Sequence, residues 1–110
     1  MIGGIGVDIV DIEQMEKSLQ IPGFLHSIFT SDEIKNEHGN SAEYYATRFA
    51  CKEAVSKALQ ISFDWRTIEI LNKEDGKTYV VLKEMYNVTN IHIDISMADG
   101  IAIAYCVVEL

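Results

Sequence analysis

The sequence predicts an α+β fold in which one long helix packs on a mostly antiparallel sheet. Apolar residues follow a helical period of 3.6 through the first half of the chain and a strand period of 2 through the second. A strand-like segment also precedes the helices, so the order is strand, helices, then strands, without the regular alternation that a parallel sheet requires. With 110 residues, we expect a single domain, residues 1–110, around one hydrophobic core.

The composition is that of a globular protein and argues against partners that need a basic surface. Apolar residues make up 48% and charged residues 24% of the sequence, and the formal net charge is −8 at pH 7. We therefore expect no binding to nucleic acid or to anionic membranes, since no basic stripe is available to displace counterions. Cys51 and Cys106 lack the spacing of a zinc site or a disulfide framework. The sequence has neither a secretion signal nor a membrane-spanning run, which predicts a cytoplasmic protein.

The first ten residues predict a strand with a polar residue near its centre. Ile and Val alternate on both sides of Asp8, and Gly4 and Gly6 allow close approach of the backbone to another element or a bulge. A carboxylate inside an apolar strand needs a partner, a metal ion or solvent, so Asp8 is a candidate functional residue. The alternative is an outward-facing position or a helix cap.

Short helices are predicted to follow the first strand. Apolar residues recur at helical spacing between Asp11 and Leu19. Thr30 and Glu33 form the sequence pattern of a capping box, which predicts a second short helix that ends at about Glu37. The residues between these helices, 24–29, are apolar and predict no element of their own.

The longest predicted helix begins after the N-cap residue Asn40 and ends at about Leu59. At 100° per residue, Phe49, Glu53 and Lys57 form one line along this helix. The carboxylate and the ammonium on this line form either an ion pair in solvent or the wall of a functional site. The spacing by itself does not decide between these two interpretations.

The second half of the chain predicts two hairpins. The first has an Asp-Gly turn signal at Asp75, and a connector from Glu84 to Asn90 separates it from the second. Ile alternates with polar residues in the third of these strands, which favours a sheet face in solvent over a binding site. The four strands are predicted at residues 67–71, 78–83, 91–96 and 101–108.

Several segments resemble holo-acyl-carrier-protein synthases, the small trimeric type of 4'-phosphopantetheinyl transferase. Residues 4–10 read Gly-Ile-Gly-Val-Asp-Ile-Val, and residues 48–58 read Arg-Phe-Ala-Cys-Lys-Glu-Ala-Val-Ser-Lys-Ala. Residues 29–33 fit the family's Phe-Thr-x-x-Glu pattern, and residues 65–70 fit its Trp-x-x-Ile-Glu-Ile strand. The closing hairpin also fits, so the likeness covers essentially the whole chain in the same order.

The resemblance implies transfer of the phosphopantetheine arm of coenzyme A to a serine of an acyl carrier protein, with release of adenosine 3',5'-bisphosphate, in fatty acid biosynthesis. It implies that Asp8 and Glu53 bind Mg²⁺, a cation that takes a few carboxylate oxygens beside water and substrate phosphate. It also implies that Lys57 faces a phosphate and that Glu53, or a water that it orients on the metal, is the base. Arg48 and Lys52 are candidates for contacts with coenzyme A phosphates or for local ion pairs. The family further implies a homotrimer whose sites are completed across subunit boundaries.

The departures from the family pattern lie at expected substrate contacts. Met97 stands where the family has a histidine near the coenzyme A phosphates, and a thioether cannot donate a hydrogen bond. Residues 60–62 replace a Gly-Thr-Gly turn with Gln-Ile-Ser. The first helix carries Glu13, Glu16 and one lysine where the family has arginines that dock the acidic carrier protein, and Ser27 replaces a further arginine.

Two functions therefore stay open. The first is a working transferase with altered carrier specificity and weaker affinity for coenzyme A. The second is a non-catalytic homologue that keeps the trimer and binds a metal, a nucleotide or a partner protein. The joint presence of Asp8, Glu53 and Lys57 favours the enzyme. His26 and His38 have no ligand-type neighbours in the sequence, and we interpret both as surface or packing residues.

Overall fold

The computed structural model describes residues 1–84 and 86–110 and confirms the α+β class and the predicted order of elements. The predicted connector from Glu84 to Asn90 includes Met85, which lies outside the described residues. A 3₁₀ turn at Trp65–Thr67 follows the helices. The helices and strands are β1 (Ile2–Asp11), α1 (Ile12–Leu19), α2 (Phe24–Ile28), α3 (Ser31–Lys35), α4 (Ser41–Leu59), β2 (Ile68–Asn72), β3 (Thr78–Leu82), β4 (Asn90–Ala98) and β5 (Ile101–Glu109).

The strands divide between two antiparallel sheets, whereas the sequence predicted one. One sheet has three strands in the order β1-β5-β4, and the other is the β2-β3 hairpin. In the larger sheet Ala104 of the central strand lies opposite Asp8 of β1 and Ile95 of β4. A period of 2 identifies strands but not their pairing partners, which is why the division was missed.

The contact between α4 and the larger sheet is built from small residues. Ala50, Ala54 and Ala58 are buried on the helix side. A Cβ atom added to Gly6 would lie 1.9 Å from the carbonyl oxygen of Ala54, and one added to Gly4 would lie 1.8 Å from that of Ala58. The close approach predicted for these glycines is confirmed, and an irregularity in register between Ile2 and Gly4 accompanies it.

The two faces of β1 have different environments. Successive side chains point to opposite faces, so the strand presents Gly4, Gly6 and Asp8 on one face and Ile5 and Val7 on the other. The side chains of Ile5 and Val7 are exposed on the side of the sheet that points away from α4, which we call the outer face. The side chain of Asp8 is only 17% exposed. An outward-facing position for Asp8 is therefore excluded.

Two helical segments differ from the prediction. Residues 24–28 form α2, which follows Gly23 at φ +84°. A five-residue helix has no stability of its own, so only packing against the rest of the molecule accounts for it. The capping box at Thr30 and Glu33 is confirmed, but α3 ends at Lys35, earlier than predicted. Within the described residues, no helix has the length and apolar character needed to cross a membrane.

Candidate active site

Helix α4 leaves one line of side chains accessible. Between residues 44 and 58 of this helix, only Phe49, Glu53 and Lys57 are not buried. This is the line that the helical period predicted. It lies beside β1 because Gly4 and Gly6 let the strand approach the helix backbone.

Lys57 joins the strand to the helix. Its Nζ atom donates to Asp8 Oδ1 and to the Val7 carbonyl oxygen, each at 3.0 Å. The Lys57 side chain is about half exposed. A lysine ammonium has three N–H groups, so one remains for a ligand.

Glu53 lies in a partly buried, acidic environment. Burial raises the pKa of Glu53, the charge of Asp8 raises it further, and the charge of Lys57 lowers it. The Asp8 and Glu53 carboxylates repel each other, and Lys57 supplies only one positive charge against their two negative charges, so a bound cation would stabilise the pair.

The donor set is compatible with Mg²⁺. No group of three or more His, Cys, Asp and Glu side chains that could hold a metal occurs in residues 1–84 and 86–110. A site with only Asp8 and Glu53 leaves the other coordination positions to water and to a phosphate-bearing substrate, as Mg²⁺ prefers. The residues present therefore fit this metal.

A cavity of about 420 Å³ opens in front of the two carboxylates and is bordered by α1 and α2. Its floor is mostly apolar, with Phe49 beside Glu53. The residues that line this cavity are Asp8, Ile9, Val10, Asp11, Gln14, Met15, Ser18, Phe24, Phe49 and Glu53.

Arg48 lies in a different cavity, of about 270 Å³, and is not brought together with Glu53. Its guanidinium lies 4.1 Å from the centre of the Tyr44 ring and donates to Thr47 Oγ1 and to Asn72 Oδ1. Met97 lines the same cavity, so the structure brings together Arg48 and the position of the family histidine.

Lys52 occupies a fully buried position. Its ammonium contacts Glu33 at 2.8 Å and donates to the carbonyl oxygens of Trp65 at 2.8 Å and Ile68 at 2.6 Å. Burial lowers the pKa of Lys52, although Glu33 opposes this shift. These three acceptors occupy every N–H of the ammonium, so the structure agrees with a local ion pair and leaves no donor for the expected coenzyme A contact.

Comparison with known proteins decides the family. Residues 4–106 match the family model described as the 4'-phosphopantetheinyl transferase superfamily. The chain belongs to this superfamily. The holo-[acyl-carrier-protein] synthase of Fusobacterium nucleatum is 45% identical over 89 residues, which are 76% of this chain and 73% of the relative. That of Clostridium perfringens is 40% identical over an alignment of 126 residues, covering 99% of this chain and 95% of the relative.

Solved structures of the superfamily share the fold. A holo-(acyl-carrier-protein) synthase from Bacillus anthracis in complex with CoA (3',5'-ADP) has a TM-score of 0.86 and 33% identity, covering 99% of this chain and 97% of that one. The Helicobacter pylori enzyme in complex with coenzyme A has a TM-score of 0.84 and 30% identity, covering 96% and 99%. The resemblance to holo-acyl-carrier-protein synthases is confirmed.

Sequence reasoning missed one neighbour of the Arg48 cavity. His38, which the sequence placed among surface or packing residues, lines this cavity together with Arg48 and Met97. The three residues come from the segment before α4, from α4 itself and from β4, so no local pattern connects them. The one signal in the sequence was Arg48 itself, because it has no acidic residue at i±3 or i±4 with which to form an ion pair along the predicted helix.

Proposed function

We propose that this protein transfers the 4'-phosphopantetheine arm of coenzyme A to a serine hydroxyl of an acyl carrier protein. The observation that carries the proposal is the placement of Asp8 and Glu53 at one cavity, with Lys57 bonded to Asp8 and close enough to act on the charge of Glu53, in a chain of this superfamily. Relatives that are named holo-[acyl-carrier-protein] synthases, and homologous structures with coenzyme A bound, support the substrate.

In the proposed reaction, the serine oxygen attacks the phosphorus that bears the pantetheine group. The bond from this phosphorus to the bridging oxygen breaks, and adenosine 3',5'-bisphosphate leaves with the electron pair. The serine proton passes to the carboxylate of Glu53. Lys57 supplies positive charge beside the reacting phosphate.

Asp8 and Glu53 are the proposed ligands of Mg²⁺. When bound, the metal would neutralise negative charge on the pyrophosphate of coenzyme A. Glu53 has two carboxylate oxygens, so one can hold the metal while the other accepts the proton. Asp8 is kept in place by its 3.0 Å contact with Lys57.

The proposed assembly is a homotrimer that acts in the cytoplasm, with coenzyme A and an acyl carrier protein as its partners. The outer face of the larger sheet supports association, because Ile5, Val7 and Tyr105 are exposed there. Arg48 is proposed to bind a phosphate of coenzyme A in its own cavity. The Arg48 and Glu53 cavities share no lining residue, and we propose that a site formed between two subunits uses one cavity from each.

A second candidate function is a non-catalytic homologue that binds a metal, a nucleotide or a partner protein. It is favoured by Met97, whose exposed thioether offers no hydrogen-bond donor beside Arg48. Under the transferase proposal, Met97→His should tighten coenzyme A binding. An unchanged affinity would mean that the side chain at this position lies away from the phosphates.

Calorimetric titration of coenzyme A with and without Mg²⁺ tests the metal and separates the two functions. We expect Mg²⁺ to raise the affinity in the wild-type protein but not in Asp8→Asn. Asp11→Asn is the matched control, because Asp11 lines the same cavity and asparagine can replace it as the N-cap of α1. An affinity for coenzyme A that does not depend on Mg²⁺ would contradict the enzyme proposal.

A further inference from the structure

Arg48 is a buried cation without a carboxylate partner. Its residue is 4% exposed, and its Nε atom has no hydrogen-bond partner. Among the described carboxylates, none lies within 4.0 Å of its guanidinium, although the buried Lys52 is paired with Glu33 in this way. A buried charge costs several kcal/mol unless an opposite charge compensates it. The cavity in front of Arg48 is therefore suited to an anion.

Tyr44 orients both Arg48 and His38. The Tyr44 hydroxyl donates to the carbonyl oxygen of Glu33 at 2.5 Å, which fixes the ring. Arg48 lies over the ring face, and His38 contacts the ring edge-on with a centroid distance of 5.2 Å. Both nitrogen-bearing groups are thus held against one aromatic side chain at the same cavity.

A second contact determines which nitrogen of His38 is available. Nδ1 lies 2.8 Å from the carbonyl oxygen of Asn36. A carbonyl oxygen only accepts hydrogen bonds, so Nδ1 carries a proton and Nε2 is left for a ligand. When both ring nitrogens carry a proton, Nε2 can donate to an anion.

We propose that His38 binds the 3'-phosphate of coenzyme A together with Arg48, and so supplies the donor that Met97 lacks. This inference rests on the proposed function. Coenzyme A carries a pyrophosphate and a separate phosphate monoester on its ribose. If the pyrophosphate lies at Glu53, the Arg48 cavity is left for the monoester, because the two cavities have no lining residue in common. Glu43 is the one carboxylate among the residues that line the Arg48 cavity, and it is exposed, so water screens its charge.

The test combines a change in the protein with the matching change in the ligand. Dissociation constants are measured for coenzyme A and for 3'-dephospho-coenzyme A with the wild-type protein and with His38→Phe. Phenylalanine preserves an aromatic edge for Tyr44 and removes both nitrogens. His26→Phe is the matched control, since His26 is also exposed but lines a different cavity. Thermal melting confirms that each variant is folded.

The wild-type protein and His26→Phe should bind coenzyme A more tightly than the dephospho form. His38→Phe should weaken binding of coenzyme A about tenfold, the effect of losing a hydrogen bond to a charged group, and leave that of the dephospho form nearly unchanged. An equal loss for both ligands, or no loss for either, would overturn the role of His38. Failure of the wild-type protein to bind either ligand would instead contradict the proposed function.

Discussion

At the scale of single residues, three features of the surroundings shift the pKa of Glu53, and they do not all act in the same direction. Burial and the Asp8 carboxylate raise its pKa, and the Lys57 ammonium lowers it. In the metal-free protein, the pKa of Glu53 should therefore lie above the ordinary range of a glutamate. The proposed base and metal ligand must be ionised, so Mg²⁺ binding, which favours the charged carboxylate, should lower this pKa, and transfer activity should fall when the pH is low enough to protonate Glu53.

The same balance predicts opposite shifts in two variants of the metal-free protein. Asp8→Asn removes a negative charge and should lower the pKa of Glu53. Lys57→Met removes a positive charge and should raise it. NMR titration of the Glu53 carboxyl carbon measures both shifts without any activity assay. Shifts of the same sign in the two variants would contradict the proposed arrangement of charges.

Lys52 should matter for stability, since its ammonium is fully buried and paired with Glu33. Lys52→Met leaves the Glu33 carboxylate buried without a counterion and should lower the free energy of unfolding by about 3–5 kcal/mol. Urea denaturation measures the loss. Lys35→Met, at an exposed position of α3, is the control and should change stability by no more than about 0.5 kcal/mol. The double variant Glu33→Gln, Lys52→Met should recover part of the lost free energy of unfolding, because it no longer buries an unpaired carboxylate. No recovery would mean that Lys52 stabilises the protein mainly through packing and not through its charge.

At the scale of elements, the distance between β1 and α4 holds Asp8 beside Glu53. Gly6→Ala places a Cβ atom 1.9 Å from the Ala54 carbonyl oxygen, so the strand must move away from the helix. We expect a loss of about 1–3 kcal/mol in stability together with a loss of Mg²⁺-dependent coenzyme A binding.

Gly3→Ala is the control for this change. The atoms that a Cβ at Gly3 would meet belong to the side chain of Leu110, which is exposed and can move aside. This variant should keep both stability and binding. Equal effects of the Gly3 and Gly6 substitutions, measured by urea denaturation and calorimetry, would mean that close approach to the helix is not what Gly6 provides.

The order of the elements and the principal carboxylates could be predicted from the sequence because both are local properties. Asp8 interrupts an apolar strand, and Glu53 and Lys57 share one helical line with Phe49. Lys52 immediately precedes Glu53 in the same helix, so its side chain is rotated by 100° about the helix axis. This rotation places Lys52 in the core.

The parts that sequence reasoning missed depend on tertiary packing. The division of the strands between two sheets depends on which strands pair, and period alone does not specify this. Helix α2 is too short to be stable without its neighbours. The meeting of His38, Arg48 and Met97 joins three segments that are far apart in the chain.

At the scale of the whole molecule, the outer face of the larger sheet predicts self-association. Ile5 is 69% exposed on this face, and Ile5→Glu should convert the proposed trimer into a monomer because a charge would be buried in the contact. Ile21→Glu is the matched control, since Ile21 is 58% exposed between α1 and α2, away from the sheet. Light scattering after size-exclusion chromatography gives the molar mass. The same mass for the wild-type protein and Ile5→Glu would contradict this interface.

The central claim is tested most directly by intact-mass spectrometry of purified apo acyl carrier proteins after incubation with this protein, coenzyme A and Mg²⁺. We predict that at least one carrier gains the mass of one phosphopantetheine group. Glu53→Gln should abolish the gain with little effect on the fold, because it removes the charge at nearly constant shape. A folded wild-type protein that modifies no carrier, or a Glu53→Gln variant that retains substantial activity, would contradict the account.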